Sequence, residues 1–154
     1  MKYLLDTNIV SELRKKLPDP RVVKWLEDVP SDQVYLSCIT IGELRSGALK
    51  KAKLDKIAGK LLIKWIDELI SSYEEQIVLI DLEICQKWAE LLTIDSTNAI
   101  DSLLLAQAIT NNMVLVTRNI KHFKMFGAKC LNPFGEENVY WRRKRLIVIR
   151  SIDR

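Results

Sequence analysis

Lys2-Tyr3-Leu4-Leu5-Asp6-Thr7-Asn8-Ile9-Val10-Ser11-Glu12-Leu13 sets the pattern for the chain. A short apolar run, residues 2–6, reads as a strand. It turns at Thr7 or Asn8, either of which can cap a helix, and Ile9, Val10 and Leu13 then recur at helical spacing towards Lys16. Pro18 and Pro20 stop that helix, and Asp19-Pro20 opens a second short one with Val22, Val23, Trp25 and Leu26 inward. The alternation continues outward. Residues 34–37 form a strand, and Thr40-Ile41-Gly42-Glu43 opens a helix. A long amphipathic stretch follows, through Leu54, Ile57, Leu61, Leu62, Trp65, Ile66, Leu69 and Tyr73. Residues 77–80 form a third strand, and Ile84, Trp88, Leu91 and Leu92 face one way on the next helix. Ser96 or Thr97 caps a helix through Ile100, Leu103, Leu104, Ala108 and Ile109. Residues 113–116 form a fourth strand and 128–131 a short fifth. Short strands separated by helices predict an α/β fold with a mostly parallel sheet of four to five strands flanked by helices.

The chain's 154 residues, 48% of them hydrophobic and 29% charged, suit one domain with an ordinary buried core. No apolar run reaches the roughly 18–20 residues of a membrane span. Asp6 interrupts the N-terminus too early for a signal peptide, so a cytoplasmic location is expected. Cys38, Cys85 and Cys130 are odd in number and widely spaced, and imply neither disulfides nor a zinc site. The net charge of +4 is unevenly placed: residues 1–139 hold 18 Lys+Arg against 19 Asp+Glu. The last 15 residues carry Arg142, Arg143, Lys144, Arg145, Arg150 and Arg154 against Asp153. Residues 1–134 are therefore expected to form the domain and 135–154 a basic tail, which is either a solvated extension or a surface for nucleic acid.

Three acids fall where a parallel sheet would gather them. Asp6 ends the first strand, Glu43 lies early in the helix after the second, and Asp101 lies near the start of a largely apolar helix. Each has an ordinary structural explanation. Asp6 can cap a helix, Thr40-x-x-Glu43 has the form of a capping box, and an acid near a helix N-terminus is favoured by the macrodipole. Together they lie at the carboxyl edge of the sheet, where open α/β folds bind ligands. Carboxylates crowded there repel unless a cation intervenes, and hard oxygen donors suit Mg²⁺ or Mn²⁺. Such a site can activate water and steady a phosphate under attack. No Walker A lysine, GxGxxG, HExxH or serine elbow competes.

Five stretches together resemble the PIN-domain family, in particular its VapC-type toxins. They are Leu4-Leu5-Asp6-Thr7-Asn8, then Leu36-Ser37-Cys38-Ile39-Thr40-Ile41-Gly42-Glu43-Leu44, then Ile100-Asp101-Ser102-Leu103-Leu104-Leu105-Ala106-Gln107-Ala108. Leu115-Val116-Thr117-Arg118-Asn119-Ile120-Lys121-His122-Phe123 and Asn132-Pro133-Phe134 complete the set, in order across residues 2–134. The resemblance implies a Mg²⁺- or Mn²⁺-dependent endoribonuclease that cuts RNA. It also implies a cognate antitoxin protein, a homodimer and, in some members, a larger toxin–antitoxin assembly. By position Asp6, Glu43 and Asp101 match the metal-binding acids, and Thr7 and Thr117 match polar supports. Arg45, Arg118, Lys121 and His122 are candidate RNA contacts, and the early helices with Trp25 and Leu26 are candidates for an antitoxin groove. One departure stands out: where the family commonly supplies a further acid, this chain has Asn119 and His122. Asn119 can still offer an amide oxygen, so one metal is expected rather than two. A binding module without catalysis, a phosphatase and a DNA nuclease remain open alternatives.

Overall fold

In the computed structural model, residues 1–135 are described, so the tail's basic cluster at 142–154 lies outside the described residues. Their elements run β1 (Tyr3–Leu5), α1 (Thr7–Leu13), α2 (Pro20–Asp28), β2 (Val34–Ser37), α3 (Cys38–Leu54), α4 (Lys56–Ser72) and β3 (Ile77–Val78). There follow α5 (Leu82–Leu92), α6 (Ala99–Thr110), β4 (Val114–Val116), α7 (Ile120–Phe123) and β5 (Cys130–Leu131). The five strands form one sheet in the order β3-β2-β1-β4-β5, every pair parallel. The expected α/β class and strand number hold.

Strand β1 is the pivot. The chain leaves it towards β2 and β3 on one side and returns later to β4 and β5 on the other. That makes the carboxyl end of β1 the topological switch point, where such sheets open a crevice. Side-chain alternation divides the core between the two faces. Leu4 and Leu115 pack with Ile84, Leu105 and Phe123 on one side. Tyr3, Leu5, Val34 and Val116 pack with Ile9, Val22 and Trp25 on the other. Trp25 is therefore core, with its ring edge-on to Tyr3, and is not exposed to line a groove.

Several boundaries differ from the sequence expectation, each for a local reason. The first strand is trimmed to Tyr3–Leu5 because Asp6 becomes the cap of α1, its carboxylate accepting the Thr7 N–H. Residues 79–80 do not extend β3: its one neighbour among the described residues, β2, ends at Ser37, so Leu79 and Ile80 find no ladder there and stand exposed. Ser37 itself caps α3 by accepting the Ile39 N–H. This moves the helix start three residues ahead of Thr40 and dissolves the capping box, and Glu43 lies a turn inside the helix. Asn98, rather than Ser96 or Thr97, caps α6. The long amphipathic stretch is broken at Asp55, which ends α3 and caps α4 through the Ala58 N–H. Leu54, Ile57 and Leu61 are consequently exposed at and beside the hairpin tip.

The α3–α4 hairpin is held unusually close at one point. A Cβ built on Gly59 would lie 2.3 Å from both Cα and Cβ of Ala52. Gly59→Ala is therefore expected to force the helices apart and destabilise the protein by about 1–3 kcal/mol. Chemical denaturation checks this; an unchanged or raised midpoint would show that the hairpin absorbs the methyl without cost.

Candidate metal centre

The carboxyl edge of β1 carries a hydrogen-bonded knot built from three chain segments. Asp6, 9% exposed, is buried at this edge. Its Oδ1 accepts the Thr7 N–H at 2.7 Å, and its Oδ2 accepts Asn8 Nδ2 at 2.6 Å and Thr117 Oγ1 at 2.7 Å. The backbone also locks this corner, with the Asp6 N–H on the Val116 carbonyl at 2.9 Å. Thr117 is fully buried just after β4, and its hydroxyl accepts the Asn119 N–H at 3.1 Å. Asn8 ties the two segments: its amide donates to Asp6 and Thr117, and its oxygen accepts the Arg118 N–H at 3.1 Å. With two lone pairs per oxygen, Asp6 Oδ1 keeps one unused.

Glu43, exposed on α3, accepts a hydrogen bond from the Thr7 hydroxyl, so Thr7 links the first helix to the second acid. Thr40 supports the same corner from beneath, its hydroxyl reaching the Leu5 carbonyl at 3.4 Å. Asp101 stands in the first turn of α6. Its Oδ2 accepts Asn98 Nδ2 at 2.6 Å and lies 3.7 Å from His122 Nε2. Burial raises the Asp101 carboxyl above its usual range, the negative charge of Asp6 adds to this, and Glu43 contributes a smaller push. The His122 charge works in the opposite direction. Asp101 thus feels both other acids.

Among the described residues, no three Asp, Glu, His or Cys side chains already stand at ion-coordinating spacing. The contacts explain the spread. Glu43 is drawn to Thr7 and Asp101 to Asn98, each finding a neutral donor where the neighbouring acids would repel it. Partially unsatisfied hard-oxygen ligands with mutual repulsion are the donor set that a small divalent cation fits.

The other sequence candidates divide. Arg45 is paired with Asp67, joining α3 to α4. Arg118 lies 4.6 Å over the Phe134 ring, which explains why the Asn132-Pro133-Phe134 segment belongs with the Thr117-Arg118 pair. Hydrogen bonds from Lys15 and Arg21 hold the Glu12 and Asp19 carboxyls low, Asp19 at about 2, and the Arg118 charge adds to both effects. Lys121 and Asn119 are exposed at the rim. His122 is mostly enclosed, edge-on to Phe123 and Phe126, and among the described residues its buried Nε2 has no hydrogen-bond partner. Asn8 and Asn98 are the supports that sequence reading assigned no site role. Asn8 sits in the quoted Asp-Thr-Asn run, but only the parallel pairing of β1 with β4 brings it to Thr117.

Comparison with known proteins agrees with this architecture. The PIN domain family model matches residues 3–127. A relative named VapC ribonuclease Y4jK, from Sinorhizobium fredii, is 29% identical over 138 residues, covering 85% of this chain and 96% of its own. The crystal structure of FitAcB from Neisseria gonorrhoeae superposes with a TM-score of 0.78 at 28% identity, covering 86% of this chain and 98% of that one. A toxin–antitoxin complex from Klebsiella pneumoniae aligns with a TM-score of 0.60 at 25% identity, covering 79% and 90%. Among the described residues no helix is long and apolar enough to cross a membrane. With its parallel sheet, its acids at the β1 edge and a family match over most of its length, the chain belongs to the PIN-domain family, among the VapC-type toxins.

Proposed function

We propose that this chain is a Mg²⁺- or Mn²⁺-dependent endoribonuclease, the toxin of a type II toxin–antitoxin pair. The observation that carries the reading is the convergence of Asp6, Glu43 and Asp101 on the switch point of a PIN-family sheet, where burial and, after it, the charges of Asp6 and Glu43 raise the Asp101 carboxyl. Asp6, Glu43 and Asp101 would hold the cation, with the Asn119 amide oxygen as a further donor at the rim. When bound, the ion supplies Lewis acidity that offsets charge on the phosphodiester and makes water a competent nucleophile near neutral pH. The chain's own contribution is orientation. Thr117 and Asn8 fix Asp6 Oδ2 and the Thr7 N–H leaves Oδ1 a free lone pair, Asn98 fixes Asp101 Oδ2, and Thr7 holds Glu43 within reach. Residues 1–134 form the nuclease domain, and the basic segment 135–154 adds charge that favours RNA. A cognate antitoxin and a second copy of the chain are the partners in this reading, in keeping with the toxin–antitoxin complex among the similar structures.

Incubating the purified chain with single-stranded RNA, single-stranded DNA and a small phosphate ester, with Mn²⁺, Mg²⁺ or chelator, tests this. RNA alone should be cut, leaving 5′-phosphate ends, with activity lost to chelator and restored by either metal. Equal attack on DNA or the ester would reassign the substrate, and chelator-resistant cleavage would remove the metal. Binding of RNA without turnover would make the chain a binding module.

A further inference from the structure

The turn after β4 ties the two ends of the acid cluster together. Thr117, which donates to Asp6 Oδ2, accepts the Asn119 N–H at 3.1 Å. The Asn119 carbonyl in turn accepts the His122 N–H at 3.3 Å, in the first turn of α7. His122 Nε2 then lies 3.7 Å from Asp101 Oδ2. A continuous path thus runs from Asp6 to Asp101, because β4 pairs beside β1 and α7 follows at the same carboxyl edge.

The last link of that path is unfinished. Nε2 is shut off from solvent and, among the described residues, has no hydrogen-bond partner. At 3.7 Å the Asp101 oxygen is beyond the roughly 2.7–3.2 Å of an N–H···O bond. Phe123 and Phe126 stand edge-on to the imidazole, with ring centres 5.2 and 6.4 Å away. They hold the ring in place but supply neither a lone pair nor a polar hydrogen. Folded proteins rarely leave a buried ring nitrogen unpaired, since it has given up water for nothing. Its burial also keeps a bulky nucleic-acid strand from reaching it, whereas a single ion is small enough to enter beside Asp101.

We infer that His122 Nε2 is a ligand of the divalent cation, completing with Asp6, Glu43 and Asp101 a set of three carboxylates and one imidazole. The assignment rests on the metal-dependent reading above. The spacing fits: two donors about 2.1 Å from one octahedral ion, at right angles to each other, are about 3 Å apart. A small rotation of either side chain brings Nε2 and Oδ2 to that separation. The ion then takes the lone pair of the neutral ring and offsets the charge of Asp101, which no other described cation pairs with. The nitrogen also changes which metal the site prefers. Carboxylates suit Mg²⁺ and Mn²⁺ alike, whereas imidazole favours the later ions, with affinity rising from Mn²⁺ to Co²⁺ and Ni²⁺.

The test uses the full, tag-free chain with an equimolar amount of Mn²⁺ and no RNA. Pulsed electron paramagnetic resonance should show the Mn²⁺ spin coupled to one imidazole nitrogen. His122 is the chain's only histidine, so that signal has a single source. His122→Phe keeps a ring against Phe123 and Phe126 but removes the nitrogen. It should abolish the coupling and weaken Mn²⁺ binding in calorimetry by about tenfold or more. His122→Asp returns the set to oxygen alone, and should lower the ratio of Co²⁺ to Mg²⁺ affinity by about tenfold. Melting curves in metal-free buffer establish that both variants are folded, and the wild-type spectrum decides the matter even where one is not. A wild-type Mn²⁺ complex without nitrogen coupling would overturn the assignment, and RNA cleavage by that same complex would keep the ribonuclease reading. Nitrogen coupling in a protein that cuts no RNA would keep the ligand and sink the ribonuclease reading. Failure of the wild type to bind Mn²⁺, Co²⁺ or Mg²⁺ would overturn both.

Discussion

Asp101→Asn is expected to lower RNA cleavage by a factor on the order of 10²–10³ or more and, in metal-free buffer, to raise the melting temperature. The activity loss would follow from removing a charged ligand from the proposed metal centre, which offsets charge on the phosphate. The stability gain follows from the environment of Asp101. Burial raises its carboxyl above the ordinary value of 3.8, and the charges of Asp6 and Glu43 add to that. A carboxyl raised by folding contributes stability that is fully present below the unfolded value and is lost as pH rises through the folded one. At neutral pH, ionised Asp101 therefore weighs against the fold, and asparagine relieves that weight. The gain should be about 2–4 °C for each kcal/mol relieved, and it should vanish as pH falls below the ordinary carboxyl range. Added Mn²⁺ should stabilise the wild type more than the variant, because binding to the folded state alone shifts the equilibrium. Thermal melts at several pH values with and without Mn²⁺ decide the matter. A metal-free variant that melts lower at neutral pH would show that the hydrogen bond from Asn98 outweighs repulsion.

Thr117→Val should affect both stability and metal affinity, and Thr117→Ser should rescue both. The Thr117 side chain is fully buried, so its hydroxyl has no water to replace its partners. Valine is close in shape and leaves the packing intact, but it strips a donor from Asp6 Oδ2 and an acceptor from the Asn119 N–H. A buried polar group left unpaired costs about 1–3 kcal/mol. The Asp6 carboxylate would then be oriented by the Thr7 N–H and Asn8 alone. Loss of a group that orients a ligand weakens metal binding by about 10–100-fold. Titration calorimetry with Mn²⁺ reads the affinity separately from turnover. Equal Mn²⁺ affinity in the valine variant and the wild type would show that Asn8 and the Thr7 N–H suffice to position Asp6.

Legibility in the sequence followed how local each determinant is. Strand-to-helix alternation is local, so the α/β class and the parallel sheet could be read from apolar spacing at residues 2–13 and its repetition. The cap of α2 at Asp19-Pro20 was legible for the same reason. Caps chosen among neighbouring polar residues were not. Asp6, Thr7 and Asn8 are all competent, and the choice fell to Asp6 because Asn8 and Thr7 are engaged by Thr117 and Glu43. The capping box at Thr40 failed because Ser37, ending a strand paired with β1, started the helix sooner. The long amphipathic stretch hid a break, since the periodicity of Leu54 and Ile57 continues across Asp55 while burial does not.

The sequence by itself marked three acids to be considered as a set. Asp6, Glu43 and Asp101 each stand next to the end of a strand or the start of a helix, and a parallel sheet gathers such places at one edge. Tertiary structure decided what each acid can do there. Pairing of β1 with β4 brings Thr117 beside Asn8 on the same oxygen of Asp6, and the packing of α6 sets Asp101 between Asn98 and His122. These contacts join residues up to 111 positions apart, and no periodicity records them. The same holds elsewhere. Thr7, Glu43, Arg14, Lys51 and Trp65 line one pocket from three helices, α1, α3 and α4, whose spacing along the chain gives no sign that they meet. Local propensity chose the elements, and the close approach of distant helices chose the site.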